Sequence, residues 1–111
     1  MKFTINEQVL NVESADTFFR RLRGLMLRQR LNKNHGLLIA PCNSVHMMFM
    51  RFAIDVVYLD KNYRIKKIVT NLQPWIGLSV CIGAWSVLEL NSGEIERLNL
   101  KVGQVFTVYE S

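Results

Sequence analysis

Asp55-Val56-Val57-Tyr58-Leu59 runs into Asp60-Lys61-Asn62 and then into Tyr63-Arg64-Ile65-Lys66-Lys67-Ile68-Val69-Thr70. The first segment is apolar on both faces of an extended chain, the mark of a strand inside a sheet. Asp60-Lys61-Asn62 is a turn signal. The alternation of the return run slips: Tyr63 and Ile65 share a face, then Lys66-Lys67 intervenes before Ile68. One extra residue in a strand produces this slip, so the pattern predicts a bulge there.

Outward from this hairpin, strands dominate. Residues 2–5 and 8–12 flank the polar Asn6-Glu7 and read as a second hairpin. Residues 37–40, 44–50, 85–90 and 104–109 are further β-like runs, with Gly103 turning the chain into the last. Ser14 or Asp16 can cap a helix in which Phe18, Leu22, Leu25 and Met26 form one apolar stripe. A short helix capped by Asn91 or Ser92 runs through Leu98. Residues 71–84 make a long connection containing Pro74, Trp75, Gly77 and Gly83, and connections of this length are often functional. The expected fold class is α+β, mostly β. It is a compact small β-barrel-like domain of about seven to eight short strands, with one main helix and one short helix packed against it.

The chain of 111 residues makes a single domain, 1–111, in which about two thirds of the surface is buried. Hydrophobic residues make up 50% and charged residues 21%, which excludes disordered, collagen-like and disulfide-scaffold classes. No apolar run approaches the roughly 18 residues that a spanning helix needs. The N-terminal stretch lacks the apolar core of a signal peptide, so the reading is a cytoplasmic protein with two free thiols, Cys42 and Cys81. Net charge is +5 and unevenly spread. Seven basic residues and no acid lie between Thr17 and Ile54: Arg20, Arg21, Arg23, Arg28, Arg30, Lys33 and Arg51. Such a face attracts anions, either a small molecule or an acidic protein surface. Nucleic-acid binding is disfavoured, because few of the basic residues fall on strands beside aromatics.

Strand alternation places Cys42, Ser44, His46, Met48 and Met50 on one face. A Cys42–His46 dyad fails on distance, since four residues of strand span about 13 Å. No CxxC or HxxxH pairs the metal-ligand types, so no metal centre and no cofactor are expected. His46 near Asp55 or Glu89 is the remaining catalytic constellation, since a carboxylate that accepts the imidazole N–H makes a base. A buried Glu89 would call for Arg21, Arg23 or Arg28 as a cationic partner. Trp75 and Trp85 either stack a ligand or anchor the core, and the core is favoured. Met47, Met48 and Met50 read as core.

Read together, these motifs resemble a family known as domain of unknown function 192. Arg21-Leu22-Arg23-Gly24-Leu25-Met26-Leu27-Arg28 followed by Gly36-Leu37-Leu38-Ile39 is similar to its opening pattern. Ser44-Val45-His46, Met50 and Ile54-Asp55-Val56-Val57-Tyr58-Leu59-Asp60 resemble its middle. Pro74, Val87-Leu88-Glu89-Leu90 with Gly93, and Val102-Gly103 resemble its close. The resemblance implies a compact β-rich, barrel-like domain with a helix packed on it, and no established activity. By position it singles out Arg21, Gly24, Met26, Arg28, His46, Asp55, Glu89 and Gly103. Met47 stands where the family has Thr, Tyr63 where a turn Gly is usual, and Gln104 where Asp is frequent. The balance favours a non-catalytic ligand- or protein-binding domain using residues Arg21, Arg23, Arg28, His46, Trp75 and Glu89. A small hydrolase or lyase, with His46 as base and Asp55 or Glu89 as its orienter, is the alternative.

Overall fold

The computed structural model describes residues 1–14, 34–47, 50 and 52–110. Among these, the elements are β1 Lys2–Ile5, β2 Gln8–Ser14, β3 His35–Ile39, β4 Ser44–His46, β5 Ile54–Leu59, β6 Ile65–Leu72, β7 Leu78–Val80, β8 Ser86–Asn91, α1 Glu94–Arg97 and β9 Thr107–Tyr109. The helix expected beyond Asp16, with Arg21, Arg23, Arg28 and their basic neighbours, lies outside the described residues. Ser14 ends β2, paired with Leu38.

Seven strands form one sheet in the order β6-β5-β8-β3-β2-β1-β9, and β4 and β7 form a separate ribbon. The main sheet is antiparallel except where β2 and β3 run parallel. It curls into a half-barrel whose end strands meet at one corner. There Arg64 bridges Val105, the Ile65 amide donates to the Gln104 carbonyl (2.8 Å), and the Phe106 amide donates to the Tyr63 carbonyl (3.0 Å). The mostly-β expectation holds; the barrel is corrected to a half-closed sheet plus a ribbon. The expected last strand, 104–109, shrinks to Thr107–Tyr109, so only the start of β6 finds a partner across the seam.

The β5–β6 hairpin carries the predicted bulge. Tyr58 opposes Lys67 and Leu59 opposes Ile65, which leaves Lys66 as the extra residue. A second shift separates Ile54↔Leu72 from Val56↔Val69, and places Asn71, at φ 55, opposite Asp55. In the turn, one Asp60 oxygen accepts from the amides of Arg64 (3.0 Å) and Asn62 (2.8 Å). These bonds, Arg64's foremost, hold the carboxyl below the ordinary carboxylate range. Tyr63 takes φ 63, a conformation that glycine adopts at less cost, and its ring packs edge-on against Phe3 at 5.4 Å.

Every residue of β5 is buried, and β8 is buried from Ser86 to Leu90, because both faces of the central sheet are covered. The concave face holds one core, with Phe3, Leu10, Leu38, Val57, Leu59, Ile65, Leu88 and Leu90 packed on Ile95 and Leu98 of the α1 region. The convex face holds a second core, with Leu37, Ile39, Ile54, Val56, Tyr58 and Val87 packed under Val45, Met47 and Met50. Met47 and Met50 are therefore core, as expected. The strand expected over 44–50 stops at His46, so Met50 does not continue the His46 face.

Gly77 is where the ribbon meets this second core. A Cβ there would lie 2.5 Å from the Gln73 carbonyl oxygen and 2.8 Å from Met47 Cγ. The Gly77 amide also donates to Gln73 O (3.0 Å), so the backbone cannot back away freely. Gly77→Ala is expected to destabilise the protein by about 2 kcal/mol through overpacking. Urea unfolding checks this; a midpoint unchanged from the parent would show that the 73–77 turn yields.

Candidate functional site

The three residues of the catalytic constellation are not brought together. Directly paired strand residues point to the same face. Asp55 pairs with Leu90 on the concave side, whereas Glu89 pairs with Val56 and Leu37 on the convex side. The two carboxylates therefore look out of opposite faces of the sheet. His46 lies on the outward face of the ribbon, opposite Leu78 and exposed. Among the described residues, no hydrogen bond joins it to either carboxylate.

Asp55 is 1% exposed, and its oxygens accept three backbone N–H groups. Oδ1 takes Asn71 (2.8 Å); Oδ2 takes Gly93 (3.0 Å) and Ile95 (2.9 Å). The residue caps α1 from a neighbouring strand. This corrects the expected cap: Gly93 occupies the N-cap position with no side-chain bond, Asn91 ends β8, and the Ser92 hydroxyl donates to Asn71 Oδ1 (2.8 Å). Nothing local in the sequence signals this cap, because residues 55 and 93 meet only through the sheet register.

Glu89 sits among Leu37, Val56 and Val87, and burial pushes its carboxyl up to about 7. Tyr58 lies on the same face, and burial pushes its hydroxyl up as well. Ser79 opposes that shift, while Cys42, Cys81 and Glu89 add to it. The Tyr58 hydroxyl and Ser79 Oγ are buried near one another, and neither makes a well-aligned hydrogen bond. The two thiols are free; that of Cys42 donates to the Ser44 carbonyl (3.1 Å). Among the described residues, no three His, Cys, Asp or Glu side chains converge as metal ligands.

Trp75 departs most from expectation. It is 55% exposed and Trp85 is 43% exposed, so neither is a core anchor. The residues between them explain why. Gly77, Ser79 and Cys81 are small and alternate with Ile76, Leu78, Val80 and Ile82. In β7 the small Ser79 turns inward under Val45, which leaves Leu78 and Val80 pointing out. Leu78 is 74% exposed, and Ile76 and Ile82 at the ends of the strand are 84% and 89% exposed. The inward slots are filled by small residues, so the large apolar ones have nowhere else to go. That alternation, large outward and small inward, is the signal that sequence reading missed.

Three lysines flank this ridge. Lys61 Nζ lies 4.7 Å over the Trp85 ring, and Lys67 Nζ donates to the Val80 carbonyl (2.8 Å). Lys66 Nζ reaches to 3.9 Å from where a Gly83 side chain would begin. From Lys61 to Leu88 the chain carries four cations and no acid. The ribbon thus presents apolar side chains ringed by positive charge.

The sequence matches the DUF192 family, described as "Uncharacterized ACR", over residues 1–108. The chain belongs to the DUF192 family. A UPF0127 protein of Thermococcus sibiricus is 38% identical over 98 residues, which are 83% of this chain and 62% of that protein. The chain thus spans less than two thirds of that relative's length. A UPF0127 protein of Pyrococcus furiosus is 34% identical over 99 residues, covering 85% of this chain and 83% of that protein. A Novosphingobium aromaticivorans protein of unknown function shares the fold, with a TM-score of 0.84 at 24% identity. The match covers 96% of this chain and 82% of that one. The DUF192 half-barrel is thus a shared architecture, and none of these relatives is described with a catalytic role. Among the described residues, no helix is long and apolar enough to cross a membrane.

Proposed function

We propose that this DUF192 protein is a non-catalytic binding domain whose contact surface is the outward face of the β4–β7 ribbon. The carrying observation is the exposed row Ile76, Leu78, Val80 and Ile82 between two exposed tryptophans, with three lysines beside it and no acid in the sequence from Lys61 to Leu88. Exposed apolar patches rimmed by polar residues mark interaction sites. His46 and Trp75 belong to this surface, and the partner carries negative charge beside apolar groups. Arg21, Arg23 and Arg28, outside the described residues, add to the attraction by their charge alone. Glu89 lies beneath the ribbon and supports the contact surface from below. The hydrolase or lyase alternative has less support, because Asp55 lies on the concave side, Glu89 beneath the ribbon and His46 on the ribbon's outer face.

A photo-reactive amino acid placed at residue 78 tests the reading in living cells. Adducts are expected at 78 and not at Val9, an exposed apolar residue of β2 in the main sheet. Adduct formation at 78 no higher than at 9 would overturn the reading.

A further inference from the structure

We infer that the occupant of this surface is an anionic lipid interface. The inference rests on the binding-domain reading above and names its partner. Two observations carry it. The first is shape. Ile76 and Ile82 are 84% and 89% exposed, so each stands clear of the body at an end of β7. A folded protein partner would need a matching pit for each; a fluid bilayer edge conforms to any protruding apolar side chain. Tryptophan favours the headgroup boundary, and lysine stems lie along apolar surface with their charge held at the same level.

The second is charge. Lys67 reaches β7 at Val80, Lys66 comes near Gly83 in the turn after it, Lys61 lies over Trp85, and no acid occurs in the sequence from Lys61 to Leu88. A second copy of the chain would bring these lysines against one another, which rules against a self-association face. A single-stranded nucleic acid would use the tryptophans for stacking. The aliphatic row cannot stack bases, however, and Lys61 already covers the Trp85 ring. Anionic headgroups over an acyl boundary satisfy both the cations and the aliphatics.

The two tryptophans of the chain flank the ridge, so their fluorescence reports the contact directly. The full chain is titrated with phosphatidylcholine vesicles and with mixed phosphatidylcholine–phosphatidylglycerol vesicles. A blue shift and co-sedimentation are expected with the mixed vesicles, and much weaker effects with the neutral ones. Replacing lysine at 61, 66 and 67 by alanine should weaken binding about fivefold per residue at low salt. The I76E/I82E variant, altered only at exposed positions, should keep its unfolding midpoint and lose binding by about a hundredfold. Undiminished vesicle binding by I76E/I82E overturns the assignment to this surface. A synthetic acidic amphipathic peptide of alternating Glu and Leu separates the two levels. Binding to the peptide without binding to vesicles overturns the lipid inference and retains the binding domain. Binding to neither overturns both.

Discussion

Asp55→Ala is expected to lower the unfolding midpoint by about 20 °C. Three backbone N–H groups, from Asn71, Gly93 and Ile95, lose a shared buried acceptor at once. Hydrogen bonds to a charged group are worth roughly 1.5–3 kcal/mol each, and orphaned buried donors add a desolvation penalty. These are not additive, and about 4 kcal/mol is the expected loss. At roughly 5 °C per kcal/mol for a domain of this size, that gives the quoted drop. Asp55→Asn should fall between alanine and the parent. One amide oxygen still accepts, while the amide NH₂ opposes a backbone donor. Calorimetry checks both variants. A midpoint for Asp55→Ala within a few degrees of the parent would mean that α1 and the Asn71 bulge hold without the carboxylate.

Glu89 carries the second large effect, of opposite sign. Its carboxyl moves from an ordinary 4.5 to about 7 in the folded chain, because burial penalises the charged form. Between these two values the folded state binds more protons than the unfolded one, so stability falls as pH rises. The contribution of Glu89 is therefore most favourable below its unfolded pKa. The protein loses about 3 kcal/mol as pH climbs through the window to about 7, after which the loss is complete. Glu89→Gln keeps the shape and removes the charge. It should match the parent near pH 4.5 and exceed it by about 3 kcal/mol above pH 7. Denaturant unfolding of both proteins across that range decides it. A constant difference between them would mean that the Glu89 carboxyl titrates alike in the folded and unfolded chains.

What was legible in the sequence was what local pattern determines. The two-faced apolarity of β5 announced a central strand, and the Lys66-Lys67 slip announced its bulge. The Met47 and Met50 positions read as core for the same reason: apolar residues default to burial. That default then failed at Trp75, Ile76, Leu78 and Ile82, where the inward positions of β7 are taken by small residues. β7 itself was hidden, because three residues between Gly77 and Cys81 give no period to count. The opposed directions of Asp55 and Glu89 were also hidden. They depend on which residue of β8 pairs with which residue of β5, and a shift of one would put both on the same side. Long-range register, not propensity, decides the site.

The same dependence on distant partners bears on how the chain is made. Lys2 pairs with Tyr109 and Phe3 with Val108, so β1 waits for the far end of the sequence before its second neighbour exists. Pairings this remote must meet the entropy of closing very long loops before they gain anything, which slows folding into the millisecond-to-second range. During synthesis β9 leaves the ribosome after β1 to β8, and the concave core stays open on that side until then. Completion of the half-barrel therefore waits for residues 107–109 to be made. A ribosome-stalled chain ending before Thr107 should be far more sensitive to protease than the released protein.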